Sequence, residues 1–151
     1  MADAVNGTAV LVTALRRQLS KKQEIEGRDV CFFAMYVQEY GPSCPKPNTN
    51  RTYISYLDSV RYLQPLSVRT QIYHELLVAY MANARRRGYV TANIWACPPQ
   101  RGDGYIFHRH PSQQRTPTKE RLRRWYDDMI ERSRAEGVVD RVVSLHKQFF
   151  S

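Results

Sequence analysis

No stretch of this sequence approaches the roughly 20 consecutive apolar residues that a membrane-spanning helix requires, so the chain reads as a soluble one. Cysteine is scarce and odd in number: Cys31, Cys44 and Cys97 form no Cys-x-x-Cys spacing. That argues against a disulfide framework and a zinc knuckle, and for a reducing, intracellular compartment. The apolar residues Val10, Leu11, Val12 and Leu15 have no cationic segment before them and no small-residue cleavage site after them, so they do not read as a secretory signal. Internal repeats and low-complexity tracts are also absent. Acidic residues are the minority charge, 14 Asp and Glu against 23 Lys and Arg, and the net charge is +9. Such an excess predicts an anionic partner: nucleic acid, an acidic protein or a polyphosphate carrier.

Arginine supplies 18 of the 23 cations in the 151-residue chain. Its guanidinium makes paired hydrogen bonds to phosphate that an ammonium cannot. A length of 151 residues suits one domain with a core of its own.

The pattern along the chain alternates strands and helices. Residues 29–40, DVCFFAMYVQEY, are β-rich with a nearly continuous apolar first half, as for a strand covered on both faces. A breaker cluster, GPSCPKPNTN, leads into a second strand, YISYLDSV, at 53–60. Residues 67–87 carry Val68, Ile72, Leu76 and Tyr80 at i+4, broadened by Tyr73, Leu77 and Ala84; this predicts a helix capped by Ser67 and closed by Gly88. Residues 89–97, YVTANIWAC, read as a third strand ended by Pro98-Pro99, and 105–108 as a short fourth. A second helix runs from a Thr118 cap through Leu122, Trp125, Tyr126, Met129 and Ser133 to Gly137. The tail VVDRVVSLHKQFF is ambiguous between strand and helix. The order β, β, α, β, β, α describes an α/β or α+β layer structure around one central sheet.

One junction in this pattern carries chemistry. The strand ending in Leu57-Asp58-Ser59 runs into a helix whose first turn holds Arg69 and Thr70, so a strand exit and free helix amides meet, as in an anion cradle. A cation in a helix's first turn is disfavoured by the dipole unless an anion sits beside it. Plainer readings exist: Asp58-Ser59 as a turn, Arg69 as a solvated residue, Tyr126 and Trp95 as packing aromatics, and Arg85-Arg86-Arg87 as a solvated last turn. His108 and His110 would share a strand face, but a metal site needs a third ligand. Cys97 with either histidine would make a nucleophile pair, yet no activating cation stands beside it in sequence.

YISYLDSV, RTQIYHE, NIWACPP, GDGYIFHRHP and RLRRWY occur in the order and spacing found in the catalytic domain of CREB-binding-protein (CBP) type histone acetyltransferases, and DVCFFAMYVQEYG resembles the strand just upstream. The resemblance covers residues 24–139, and implies a mixed central sheet flanked by helices. It divides the chain into a divergent segment, 1–23, and part of an acetyl-coenzyme A-binding core, 24–151. The family transfers acetyl groups from acetyl-coenzyme A to lysines of histones, transcription factors and other nuclear proteins. Membranes are not implied as partners, and direct nucleic-acid binding is not implied as the primary role.

Residue by residue, the resemblance implies that Leu57, Asp58 and Ser59 line the pantetheine and pyrophosphate, while Arg69 and Thr70 bind phosphate. Trp95 and Cys97 border the tunnel for the target lysine; Arg121, Trp125 and Tyr126 close over the coenzyme, with Tyr126 as general acid and Trp95 beside the reacting atoms. Two rival readings differ in class: a relative that binds coenzyme A or a protein without turnover, and a basic nucleic-acid-binding module resting on charge alone.

Overall fold

A computed structural model of the chain describes residues 6–13, 31–63, 65–100, 103 and 106–149. Four strands, β1 (Asn6–Thr13), β2 (Cys31–Tyr40), β3 (Arg51–Ser59) and β4 (Thr91–Ile94), form one sheet in the order β1-β2-β3-β4. The first two pairings are antiparallel and β3 pairs parallel to β4, so the sheet is mixed, as expected. Helix α1 (Leu66–Arg86) makes the crossover between β3 and β4, and α2 (Lys119–Ala135) packs on α1. The tail ends in a short helix, α3 (Leu145–Phe149), closing the ambiguity left by its sequence. Among the described residues no helix is long and apolar enough to cross a membrane.

The core sits between the sheet and α1. Phe33, Met35 and Val37 alternate along β2 and are fully buried with Ile54 of β3 and Leu77 of α1. Met129 and Ser133 of α2 are also fully buried. Tyr73 ties the layers together where the site forms: its ring lies 5.3 Å from Phe33 and 6.2 Å from Phe32, and its hydroxyl donates to Val60 O at 3.3 Å. The exit of β3 is therefore fixed to both β2 and the first half of α1. At the other end, Glu39 of β2 accepts from Arg87, Tyr80 and Tyr89, which pins the end of α1 to the sheet.

α2 starts and stops where its sequence predicts: Thr118 Oγ1 accepts from Arg121 N at 3.2 Å, and Gly137 takes φ +69° just beyond the last turn. α1 differs at its start. Pro65, not Ser67, occupies the cap position in extended geometry, and no side chain caps the helix. Proline's fixed φ and missing amide suit that boundary and draw the helix one residue earlier. The buried face of α1 is also rotated from the expected stripe. His74, Val78 and Met81 are buried with Tyr73, Leu77, Tyr80 and Ala84, whereas Val68, Ile72 and Leu76 lie at its partly exposed margin.

Three strand expectations need correction. β4 is shorter than 89–97, because Tyr89 N bonds back to Ala84 O in the helix end and Pro98-Pro99 supplies no donors. Residues 106–108 bend instead of forming a strand, since the amides of Ile106 and Phe107 donate to a carboxylate. Strand β1 falls in a segment for which no element was anticipated. Asp29, Val30 and Tyr105, parts of expected strands, lie outside the described residues.

Candidate active site

A cleft of about 940 Å³ opens between the exit of β3, the first turns of α1, the end of β4, the loop before α2 and the first half of α2. Its size is that of a small-molecule site. All ten residues singled out by sequence line it: Leu57, Asp58 and Ser59 from β3; Arg69 and Thr70 from α1; Trp95 and Cys97 just after β4; and Arg121, Trp125 and Tyr126 from α2. Elements up to 69 residues apart in sequence thus share one cavity. A shallower hollow of about 460 Å³ between α1 and Gly137-Val138 contains none of them.

The strand exit is built around Asp58, which is only 7% exposed. A buried carboxylate must be matched by donors, and here three of the four come from one neighbouring loop. Oδ2 accepts from Ile106 N (3.1 Å) and Phe107 N (3.0 Å), and Oδ1 accepts from Ser59 N (2.8 Å) and meets His110 Nε2 at 2.7 Å. Gln114 fixes the next turn of that loop, donating to Ser59 O at 2.7 Å and accepting from Arg61 N at 3.1 Å. Asp58 thus lines the cleft while both of its oxygens are engaged by the cleft wall.

One end of the cleft is cationic. Arg61, Arg69 and Arg121 all line it, and none of them forms an ion pair among the described residues. Arg69 Nη1 is buried with no hydrogen-bond partner. Burial, followed by repulsion from Arg61 and Arg121, pulls its pKa down, so the charge is held where nothing in the described protein compensates it. The α1 amides beside it lack a side-chain cap. A multiply charged anion meets the needs of that corner.

The cleft also has aromatic walls. Trp95, 58% exposed, follows β4, where its amide donates to Ile54 O at 3.1 Å, and Cys97 is exposed near it. Tyr126 is 7% exposed, and burial pushes its phenol up to about 12. No described residue accepts a hydrogen bond from that hydroxyl. Trp125 stands edge-on to Tyr126 at 5.0 Å and is backed by the buried His74 ring at 4.5 Å. Burial lowers the pKa of His74, so it packs as a neutral imidazole.

Sequence reasoning missed Arg61, Gln114 and the role of His110. No local signal marks the last two, because their partners lie 52 to 55 residues away. His110 is occupied by Asp58 while His108 is exposed, so the expected shared strand face does not form. No cluster of three potential metal ligands occurs among the described residues. The arrangement can hold a polyphosphate against its arginines and offer a protonated phenol within the same cleft.

The family described as "Histone acetyltransferase domain KAT3" matches residues 16–151. "Protein cbp-1" of Caenorhabditis elegans is 52% identical over 124 residues, 82% of this chain and 6% of that protein. "Probable histone acetyltransferase HAC-like 2" of Oryza sativa subsp. japonica is 45% identical over 135 residues, 85% of this chain and 9% of that protein. "Histone acetyltransferase HAC1" of Arabidopsis thaliana is 44% identical over 135 residues, 85% of this chain and 8% of that protein. The chain therefore spans less than a tenth of the length of these three relatives.

Proposed function

The chain belongs to the KAT3 family of histone acetyltransferase domains, and from that premise we propose that it transfers acetyl groups from acetyl-coenzyme A to lysine amines of histones and other nuclear proteins. The observation that carries the reading is the convergence of all ten expected residues on one cleft lined by arginines and aromatic rings. Residues 24–151 act in this reading as the coenzyme-binding core, with transcription regulation in the nucleus as the setting.

The residues present fit the coenzyme on one structural ground, the uncompensated Arg69 beside Arg61 and Arg121. Arg69, Thr70 and Arg121 hold its phosphates, and Leu57 and Ser59 line the pantetheine arm. When bound, the thioester supplies an activated acetyl group. Tyr126 stays protonated across the neutral range, because its phenol titrates near 12, and donates a hydrogen bond toward the departing sulfur. The target amine is the harder partner to prepare: with a free pKa near 10.4, only about one lysine in a thousand is neutral at pH 7.4. Trp95 and Tyr56 line the cleft and border its approach, where they can pack against the apolar stem of the lysine. Asp58, whose oxygens are both engaged, is not free to serve as its base, and positioning carries the remainder.

Labelled acetyl-coenzyme A incubated with the chain and a histone-tail peptide tests the proposal. Saturable binding and transfer to the peptide are expected. A second reading, binding without turnover, is favoured by the small fraction of each relative that the chain spans and by a +9 charge that repels basic tails. Saturable binding without transfer selects it, and no affinity at millimolar coenzyme removes both.

A further inference from the structure

The outer wall of the cleft, residues 106–117, contains no strand or helix, so regular backbone pairing does not hold it. Nine of its residues line the cavity: His108 and every residue from His110 to Pro117. Its attachments to β3 gather on a few groups. Asp58 takes the amides of Ile106 and Phe107 and the Nε2 of His110, and Gln114 bridges Ser59 O and Arg61 N. A carboxylate oxygen only accepts, so His110 Nε2 must carry the hydrogen of the 2.7 Å contact. His110 is the only side-chain donor among the groups that meet Asp58 from this wall, and Phe107 stands edge-on to its ring at 6.4 Å.

We propose that Asp58 and His110 form a latch that sets the position of this strap over the bound ligand. Asp58 is then a positioning residue that acts through the strap, not a group that touches the coenzyme. The physical basis is reciprocal dependence: if the strap lifts, a carboxylate only 7% exposed loses most of its donors, and if the carboxylate is lost, the strap loses its anchor. The identity of the ligand rests on the acetyltransferase reading, whereas the latch itself does not.

Trypsin reports on the strap directly, because Arg109 and Arg115 lie within it. In the full chain, His110→Ala is expected to accelerate cleavage after Arg115 roughly tenfold. His110→Gln, which restores a side-chain N–H, returns the rate toward the parent's, and saturating acetyl-coenzyme A slows cutting in every variant. In turnover assays the KM for acetyl-coenzyme A rises about tenfold in His110→Ala while kcat falls less, the split expected of a residue that holds a wall in place. Should His110→Ala lose its cooperative melt, His110→Phe, which keeps a ring but has no N–H, takes its place with the same expectation. A variant that melts like the parent and is cut after Arg115 no faster overturns the latch, whether or not acetyl transfer is observed. Faster cutting without acetyl transfer would keep the latch and remove the enzymatic reading.

Discussion

Replacing Tyr126 by phenylalanine removes one hydroxyl from the cleft and little else. The ring is 7% exposed and packs against Trp125, contacts that phenylalanine keeps, and the hydroxyl bonds to no described residue. Fold stability near neutral pH should change by less than about 1 kcal/mol. The catalytic effect depends on which task the phenol performs. Full proton transfer from an acid of pKa about 12 to a thiolate whose conjugate acid titrates near 8.5 is uphill by about 3.5 units, close to 5 kcal/mol. Donation of a hydrogen bond to the developing thiolate avoids that penalty and contributes about 1.5 to 3 kcal/mol. The structure therefore favours the hydrogen bond over the transferred proton. Tyr126→Phe should lower kcat/KM by roughly 10- to 100-fold.

The assay is steady-state transfer of labelled acetyl to a histone-tail peptide, with coenzyme affinity measured separately by calorimetry. Affinity should stay within about threefold of the parent, since the hydroxyl acts mainly on charge that develops in the reaction. The rate of both proteins should climb from pH 7 to 9 as the substrate amine loses its proton, with the variant displaced downward. A variant within threefold of the parent in kcat/KM, at equal coenzyme affinity, would refute the role given to the phenol. Stability at high pH offers an independent check. The folded phenol binds its proton up to about pH 12 and the unfolded one only to about 10, so its contribution is complete below pH 10 and is lost between 10 and 12. Tyr126→Phe should flatten that alkaline loss by about 2 to 3 kcal/mol in denaturant titrations.

Arg69→Ala should weaken acetyl-coenzyme A binding roughly 10- to 100-fold and reduce its salt dependence. A pantetheine thioester lacking the nucleotide phosphates should bind parent and variant alike, and equal losses on both ligands would remove Arg69 from the phosphate corner. His74 has a folded pKa below its unfolded value, so its contribution is present above pH 6.5 and is lost as pH falls through that value, by at most about 1.4 kcal/mol per unit. Urea titrations at pH 7 and 5.5 should show that loss in the parent and its reduction in His74→Phe; equal slopes would place the acid sensitivity elsewhere. Leu77→Ala, at a fully buried position between α1 and the sheet, should cost about 2 to 5 kcal/mol, read from the denaturant midpoint.

What was legible in the sequence depended on how local each determinant is. α2 is announced by a capping threonine, an apolar stripe and a terminal glycine, all within 20 residues, and its limits were read correctly. α1 was recognised by the same periodicity, but its buried face was misaligned. His74 counts as polar in a hydropathy pattern, yet it is buried behind Trp125, while Val68 is apolar and partly exposed. The boundary at Pro65 followed backbone chemistry where Ser67 had offered a side-chain cap. β1 gave no usable signal: the apolar run at its centre fits a strand or a helix, and its pairing partners lie 18 to 33 residues away. The strap was misread for a related reason. IFHRH has strand-like residues, but its amides found a carboxylate before they could find a neighbouring strand.

The basic charge illustrates the same division between composition and placement. On composition alone, +9 pointed equally to nucleic acid, acidic protein and polyphosphate. In the fold the arginines separate by what faces them. Arg87 is matched by Glu39, Arg132 by Glu75 and Glu136, and Arg85 by Asp140 and the carbonyls of Gly137 and Val138, so the first ties α1 to the sheet and the other two tie α1 to α2 and the segment after it. Arg61, Arg69 and Arg121 converge on a concave corner in which burial and mutual repulsion already disfavour the charge on Arg69. Duplex recognition needs cations spread along an exposed face at phosphate spacing, whereas a concave cluster of guanidiniums without ion pairs matches a compact anion with several charges close together. The three arginines of the cleft thus suit a polyphosphate, while Arg86, Arg109, Arg124 and Arg141 are exposed and form no ion pair among the described residues. The cleft is not purely cationic and aromatic: the exposed Asp103 also lines it, accepting from Gln100 N at 2.7 Å on the segment that follows Trp95 and Cys97, so a carboxylate is present for a cationic side chain that enters there.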